Sequence, residues 1–366
     1  VGELRAGALT RMVVVVLPAN VDDPATPSGG NVYDRRVCAE LVAAGWPVRE
    51  VALPGAWPRP DAPARAALGD TLAGLPDATV VLLDGLVACG VPEVVTPHAD
   101  RLRLAVLVHL PLADETGLDP ADAADLDRAE RAVLGAAAAV IATSDWTARQ
   151  LADRHGLPAH RVRVAVPGVA RAELTAADPA GRRLLCVASV TPRKGHDVLV
   201  DALATVADLD WSCQCVGALD AAGHVGRVRG RIAHHGLDDR VTLTGPRHGA
   251  ALIGSYADAD LLILASYAET YGMVVTEALA RGIPVLASEV GGVPQALGRG
   301  DDGVLPGLLV PPGDPATLGA AVRRWLTDAD WRQRLRAAAV QRRATLPDWA
   351  RTAAGIGAVL HDLRRR

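Results

Sequence analysis

Glu269 and Glu277 stand eight residues apart in the run Ala265-Ser-Tyr-Ala-Glu-Thr-Tyr-Gly-Met-Val-Val-Thr-Glu-Ala-Leu-Ala-Arg-Gly-Ile-Pro-Val-Leu-Ala287. A buried apolar strand precedes them, and Gly282 with Pro284 closes a helix behind them. In open α/β sheets, ligands bind where strands end and helices begin. A carboxylate is a natural acceptor for vicinal hydroxyls. A helix starting near Tyr271 would offer unpaired N–H groups and about half a positive charge to an anion. At ~1.5 Å rise per residue a fully helical segment puts the two glutamates up to roughly 12 Å apart, the span from a sugar to the ribose of its nucleotide. The pattern predicts a nucleoside diphosphate sugar held at each end by a glutamate, with the backbone of Thr270, Tyr271, Gly272, Met273 and Val274 against the phosphates.

Three further segments carry matching chemistry. Cys186-Val-Ala-Ser-Val-Thr-Pro-Arg-Lys-Gly-His-Asp-Val-Leu199 reads as strand, loop and helix. Lys194 in it is the one lysine among 38 basic residues. Where composition drives basic positions to Arg, a retained Lys marks a place that needs a compact point charge, such as a diphosphate site; the plainer reading is a chance surface lysine. In Pro27-Ser-Gly-Gly-Asn-Val-Tyr33, Gly29 and Gly30 let backbone approach a ligand and aim N–H groups at phosphate, although a glycine pair is by itself an ordinary turn. His109 ends the strand in Val106-Leu-Val-His-Leu-Pro111, where a structural histidine and a substrate-facing one are both open, and its place at a strand C-terminus favours the second.

The Glu269 to Glu277 segment resembles the Glu-x7-Glu signature of retaining glycosyltransferase family 4, and the resemblance covers most of the chain, strongly over 184–297. It implies a GT-B fold, two doubly wound Rossmann-like domains facing a central cleft. It also implies that Glu269 contacts donor-sugar hydroxyls and Glu277 the ribose, that Arg193 and Lys194 flank the donor diphosphate, and that Gly29 and Gly30 face the phosphates. Gly245 would border the base, and His109 would lie near donor sugar and acceptor. The implied chemistry is front-face displacement with retention, a donor phosphate oxygen taking the acceptor proton, and no metal or tightly bound cofactor. Two places depart from the family: Ala188-Ser189 stand where many relatives have Gly-Arg, and Gln295 stands where Glu is usual.

These residues need a frame. Short Val- and Leu-rich runs at Met12–Leu17, 79–83, 104–108 and 139–142 read as strands buried on both faces of a parallel sheet, with helices such as 33–44 and 121–134 between them. Around Arg171–Gly181 the apolar runs stop, which reads as a linker. Strands resume at 184–188, 211–216, 241–243, 261–264 and 285–287, and after Pro312 the chain turns helical. The expected domains are 1–172 for the acceptor, 182–345 for the donor, and a last helix within 346–366 that packs back on the first. Asp258-Ala-Asp260 precedes a strand, so it reads as a turn and cap rather than a metal-binding DxD. The arginines of 331–344 read as a solvated face, with a membrane-surface helix as the alternative.

Composition narrows the class. Half of the 366 residues are hydrophobic and 22% are charged, the profile of an ordered protein with room for two cores. A net charge of −4 and only seven Trp, four Tyr and no Phe disfavour nucleic acid. Five cysteines without a CxxC pair read as buried thiols. With no apolar run of the ~18 to 20 residues a bilayer span needs, and no leader pattern, the expectation is a cytoplasmic protein with at most peripheral membrane contact. A dinucleotide dehydrogenase would carry GxGxxG after the first strand, and the loop here lacks that spacing. The expected activity is transfer of a hexose-type sugar from UDP- or GDP-sugar to a hydroxyl acceptor. A GT-B epimerase, a sugar phosphorylase and a non-enzymatic two-lobed sugar-binding protein stay open as alternatives.

Overall fold

Each Val- and Leu-rich run forms a strand, because a segment apolar on both faces is stable only inside a sheet covered by helices on each side. The computed structural model describes residues 12–23, 28–219, 223–300 and 303–365, which form two compact units: 12–23, 28–168 and 349–365 in the first, and 169–348 in the second.

In the first unit, β1 (Val13–Pro18), α1 (Gly29–Ala43), β2 (Val48–Leu53), α2 (Ala62–Ala73), β3 (Val80–Asp84), β4 (Arg103–Val108), α3 (Pro120–Ala136), β5 (Ala139–Ala142), α4 (Asp145–His155) and β6 (Val162–Val164) alternate. The strands make one parallel sheet in the order β2-β1-β3-β4-β5-β6. The chain direction across the sheet reverses between β1 and β3, which places a crevice at the C-terminal ends of those strands.

The second unit repeats the scheme with β7 (Arg183–Val187), α5 (His196–Ala204), β8 (Ser212–Val216), α6 (His224–His234), β9 (Val241–Gly245), α7 (Gly249–Ala257), β10 (Leu261–Leu264), α8 (Met273–Leu279), β11 (Val285–Ser288), α9 (Val293–Leu297) and β12 (Gly307–Val310). Helices α10 (Pro315–Thr327) and α11 (Ala329–Arg343) follow. Its parallel sheet runs β12-β11-β10-β7-β8-β9, so the reversal falls between β7 and β10. A final helix, α12 (Trp349–Arg364), belongs to the first unit, where Trp349 meets the Tyr33 ring edge-on at 5.6 Å and Thr352 donates to the Val166 carbonyl at 2.8 Å.

The structure changes three sequence expectations. The stretch 171–181 is a strap fixed on the second unit, not a free linker: the unit begins at Val169, and buried Asp260 accepts from the Asp178 and Arg183 amides at 2.7 and 2.9 Å and from the Arg183 guanidinium at 2.8 Å. Asp260 is therefore the anchor of this strap. The arginines of α11 do not form a solvated face. Arg332 is buried and donates to the Pro179 carbonyl at 2.9 Å, Arg336 to that of Asp178 at 2.6 Å, and Arg343 to that of Ala172, leaving Arg334 on the exposed side. Finally, α1 starts at Gly29 rather than near Tyr33, because Ser28 Oγ caps it by accepting from the Asn31 amide at 3.0 Å. Pro27 lies outside the described residues. Among the described residues no helix is long and apolar enough to cross a membrane.

Candidate active site

In the second unit the loops after β7 and β10 part at the switch point, and they carry the residues read from the sequence. Lys194 Nζ donates to Glu269 Oε1 at 2.5 Å, and Ser266 Oγ donates to the same oxygen at 2.7 Å. The Tyr267 amide binds the Arg193 carbonyl at 2.8 Å, so the two loops are stitched together by backbone as well as by charge. The Gly292 amide holds the Glu269 carbonyl at 3.1 Å, which gives the Gly291-Gly292 turn its structural role. Arg193 Nε is buried with no partner among the described residues, a donor open to an anion beside Lys194.

Gly195 makes this approach possible. It sits at φ 62°, and a Cβ there would lie 2.1 Å from the Ala265 carbonyl oxygen. Gly195→Ala should therefore push the loops apart. The expected result is a loss of about 2 kcal/mol or more of stability in chemical denaturation, from steric and φ strain together, accompanied by weakened nucleotide binding.

Glu277 lies within α8, but Glu269 does not. Gly272, at φ 88°, stops the helix from reaching back, so it begins at Met273 rather than near Tyr271, and the two glutamates share no helical face. Tyr271 is buried, and Thr270 stays in the loop. The leading amides of α8, at Met273 and Val274, have no intrahelical acceptor. Glu277 Oε2 accepts from the Tyr256 hydroxyl at 2.6 Å, and Arg281 stacks over the Tyr256 ring at 4.5 Å while donating to the Glu277 carbonyl at 2.7 Å. Burial, then the Glu277 charge, pushes the Tyr256 phenol well above its ordinary pKa, so it remains a donor. Gly245 closes β9 at φ 78°, its carbonyl accepting from the Gly217 amide at 3.1 Å.

The first unit gathers a different set at its own switch point. His109 follows β4, Asp84 ends β3, and Asp34 lies in the first turns of α1. His109 Nε2 is 2.8 Å from Asp34 Oδ1, and Tyr33 meets the His109 ring edge-on at 5.2 Å. Gly29 and Gly30 form the first turn of α1 rather than a loop. A Cβ at Gly30 would come within 3.2 Å of His109 Cδ2, so the small residue is what lets the helix pack on the ring. Burial works against charge on His109, but the Asp34 carboxylate facing it, their hydrogen bond and Asp84 outweigh that and lift its pKa to about 9. Burial, and after it the Asp34 charge, pushes the Asp84 carboxyl well above the usual carboxylate range. Behind this cluster, Glu130 of α3 is fully buried, accepts from the Leu112 amide at 3.2 Å and meets His155 at 3.0 Å, which pins the loop that carries His109.

Asp34, Asp84, Ser266 and Tyr256 were not read from the sequence. Asp34 had a signal: it lies on the α1 stripe of Tyr33, Val37, Cys38 and Leu41, an acid among the residues that face the core. Asp84 had one too, as a carboxylate closing a strand otherwise wholly apolar. All five cysteines are buried thiols. Cys186 Sγ lies 3.8 Å from His196 Nε2, and a hydrogen bond with Cys215 and then burial hold the Cys186 thiol well above its ordinary value.

Known proteins share this architecture. The first half matches the family described as Glycosyltransferase Family 4 over residues 27–173, and the second matches Glycosyl transferases group 1 over residues 181–328. D-inositol 3-phosphate glycosyltransferase of Nocardiopsis dassonvillei is 32% identical over 285 residues, 72% of this chain and 63% of that protein. The protein of that name from Thermobifida fusca is 30% identical over 75% of this chain and 64% of its own length, so the chain spans less than two thirds of either relative. Among solved structures, a sucrose-phosphate synthase from Thermosynechococcus elongatus superposes with a TM-score of 0.77 at 23% identity, covering 96% of this chain and 99% of its own. HepE of Anabaena, in complex with UDP and glucose, gives 0.73 at 18% identity over 96% and 100%. These likenesses show the GT-B architecture of two doubly wound units. Matched in order by the two domains, the chain belongs to the family 4, group 1 glycosyltransferases.

Proposed function

We propose that the protein transfers a hexose-type sugar from a nucleoside diphosphate sugar to a hydroxyl acceptor, with retention of anomeric configuration. The observation that carries the reading is the Lys194–Glu269 ion pair at the switch point of the second unit, with the open Arg193 donor beside it. In this reading Lys194 and Arg193 bear on the diphosphate, Glu269 on the sugar hydroxyls, and Glu277, set by Tyr256, on the ribose. The UDP in the HepE complex favours uridine over guanosine as the base. No metal or tightly bound cofactor takes part: stabilisation of the departing diphosphate falls to side chains and amides. The acceptor belongs to the first unit, which carries His109.

Thermal shift with a panel of nucleoside diphosphates and their sugars tests the reading. A uridine or guanosine diphosphate sugar should raise the melting temperature, and an acceptor screen with that donor should release the free diphosphate. Glu277→Gln should weaken donor binding by about 10- to 100-fold, the loss of a charged hydrogen bond of about 1.5–3 kcal/mol, with a smaller effect on turnover. Absence of nucleotide binding in the folded protein overturns the assignment.

A further inference from the structure

The Asp34–Asp84–His109 cluster holds two buried carboxyls and one imidazole, and its bonding does not close if both acids are ionised. Asp34 Oδ1 takes Nε2 of His109, but Asp34 Oδ2 is buried with no donor among the described residues to satisfy it. Asp84, with one oxygen accepting from the Leu86 amide at 2.7 Å, is the other acid of the group, in which a carboxylate oxygen of each acid and a ring nitrogen of His109 lie within 4.8 Å of one another. Two ionised carboxylates this close repel, whereas a proton between them supplies the missing donor. Among the described residues neither acid pairs with an arginine or lysine; Arg35, next along α1, is taken by Asp22 and Glu50. The phenol and thiols around the cluster stay neutral. Burial lifts the Tyr33 phenol and the thiols of Cys38, further along α1, and Cys89, beyond β3.

We propose that Asp34 and Asp84 hold one proton between them and so carry a single negative charge, which fixes the His109 ring through Nε2 and keeps both ring nitrogens protonated. Nδ1, which has no partner among the described residues, then meets substrate as an N–H donor. Resting on the glycosyltransferase reading above, this excludes His109 as the base that deprotonates the acceptor hydroxyl. It assigns that proton to another group, in keeping with a displacement in which a donor phosphate oxygen takes it. Asp34 and Asp84 are positioning residues: they act through His109.

The test is a long-range 1H–15N spectrum of the full chain labelled at histidine, followed from about pH 6 to 10, with His109 assigned by its loss in His109→Gln. The wild-type ring should keep imidazolium shifts to about pH 9, where an unperturbed histidine has titrated near 6.5. Asp84→Asn should move this titration less than Asp34→Asn does, because Asp84 makes the smallest of the contributions that raise the ring and does not touch it. Asp34→Asn should weaken proton affinity by about tenfold or more, a shift of about one unit. The pH profile supplies a second readout: kcat/KM should fall as pH rises through about 9, whereas a basic His109 would make it rise between about 6 and 7. A wild-type ring that titrates near 6.5, an Asp84→Asn shift as large as that of Asp34→Asn, or a ring displaced by added Mg2+, Mn2+ or Zn2+ each overturns the proposal. The spectrum needs no donor to bind, so it stands or falls separately from the transferase assignment.

Discussion

Lys194→Ala lowers turnover by about 10²–10³-fold while the protein still folds. The magnitude is that of removing one preorganised donor from a site where charge develops on a leaving group, about 2.7–4 kcal/mol. The ammonium is held 2.5 Å from Glu269 and is 18% exposed, so its position is set before any substrate arrives. The loss should fall on kcat as well as on donor affinity, because the diphosphate gains charge as the sugar departs. Lys194→Arg should recover only part of it: the planar guanidinium is bulkier than the ammonium and spreads its charge. Steady-state kinetics with circular dichroism checks both points, and full activity in folded Lys194→Ala removes the charge-stabilising role.

Asp260→Ala destabilises the second unit by about 3–5 kcal/mol, the range found when one partner of a buried ion pair is deleted. Its carboxylate is fully buried and accepts from two backbone amides and a guanidinium, and Arg336 lies 3.6 Å away. Removing it strands those donors and frees the strap 171–181. For a unit of this size the melting temperature should fall by roughly 10 °C or more. Calorimetry would resolve the second unit's transition from that of the first, and an unchanged second-unit transition would show that the strap is held by the α11 arginines without Asp260.

What the sequence made legible follows from how local each signal is. Glu269, Glu277 and Lys194 are marked by type and spacing within short runs, and the buried strands by unbroken Val and Leu. Edge strands were harder: β2 carries Arg49 and Glu50 on a half-exposed edge, and β6 is only the triplet Val162–Val164, half-exposed with Arg163 at its middle. The strap looked like a linker because its residues are small, polar and rich in turn formers. What fixes it comes from Asp260 and from Arg332 and Arg336, 82 to 158 positions away along the chain. The same holds for His109. Its neighbours Asp34 and Asp84 come from separate elements, and only the order of strands brings them to one place.

The placement of α12 has a consequence for how the chain is made. Ile356, Val359 and Leu360 are buried, and Gly357 lies against Trp46, so the first unit's core includes side chains encoded after the whole of the second. On a ribosome that delivers the chain from the N-terminus, the second unit is complete first. The first must wait with its α1 face uncovered until the last helix emerges, so nascent chains stalled between them expose apolar surface, and the second unit acts as a folded spacer in the return loop of the first.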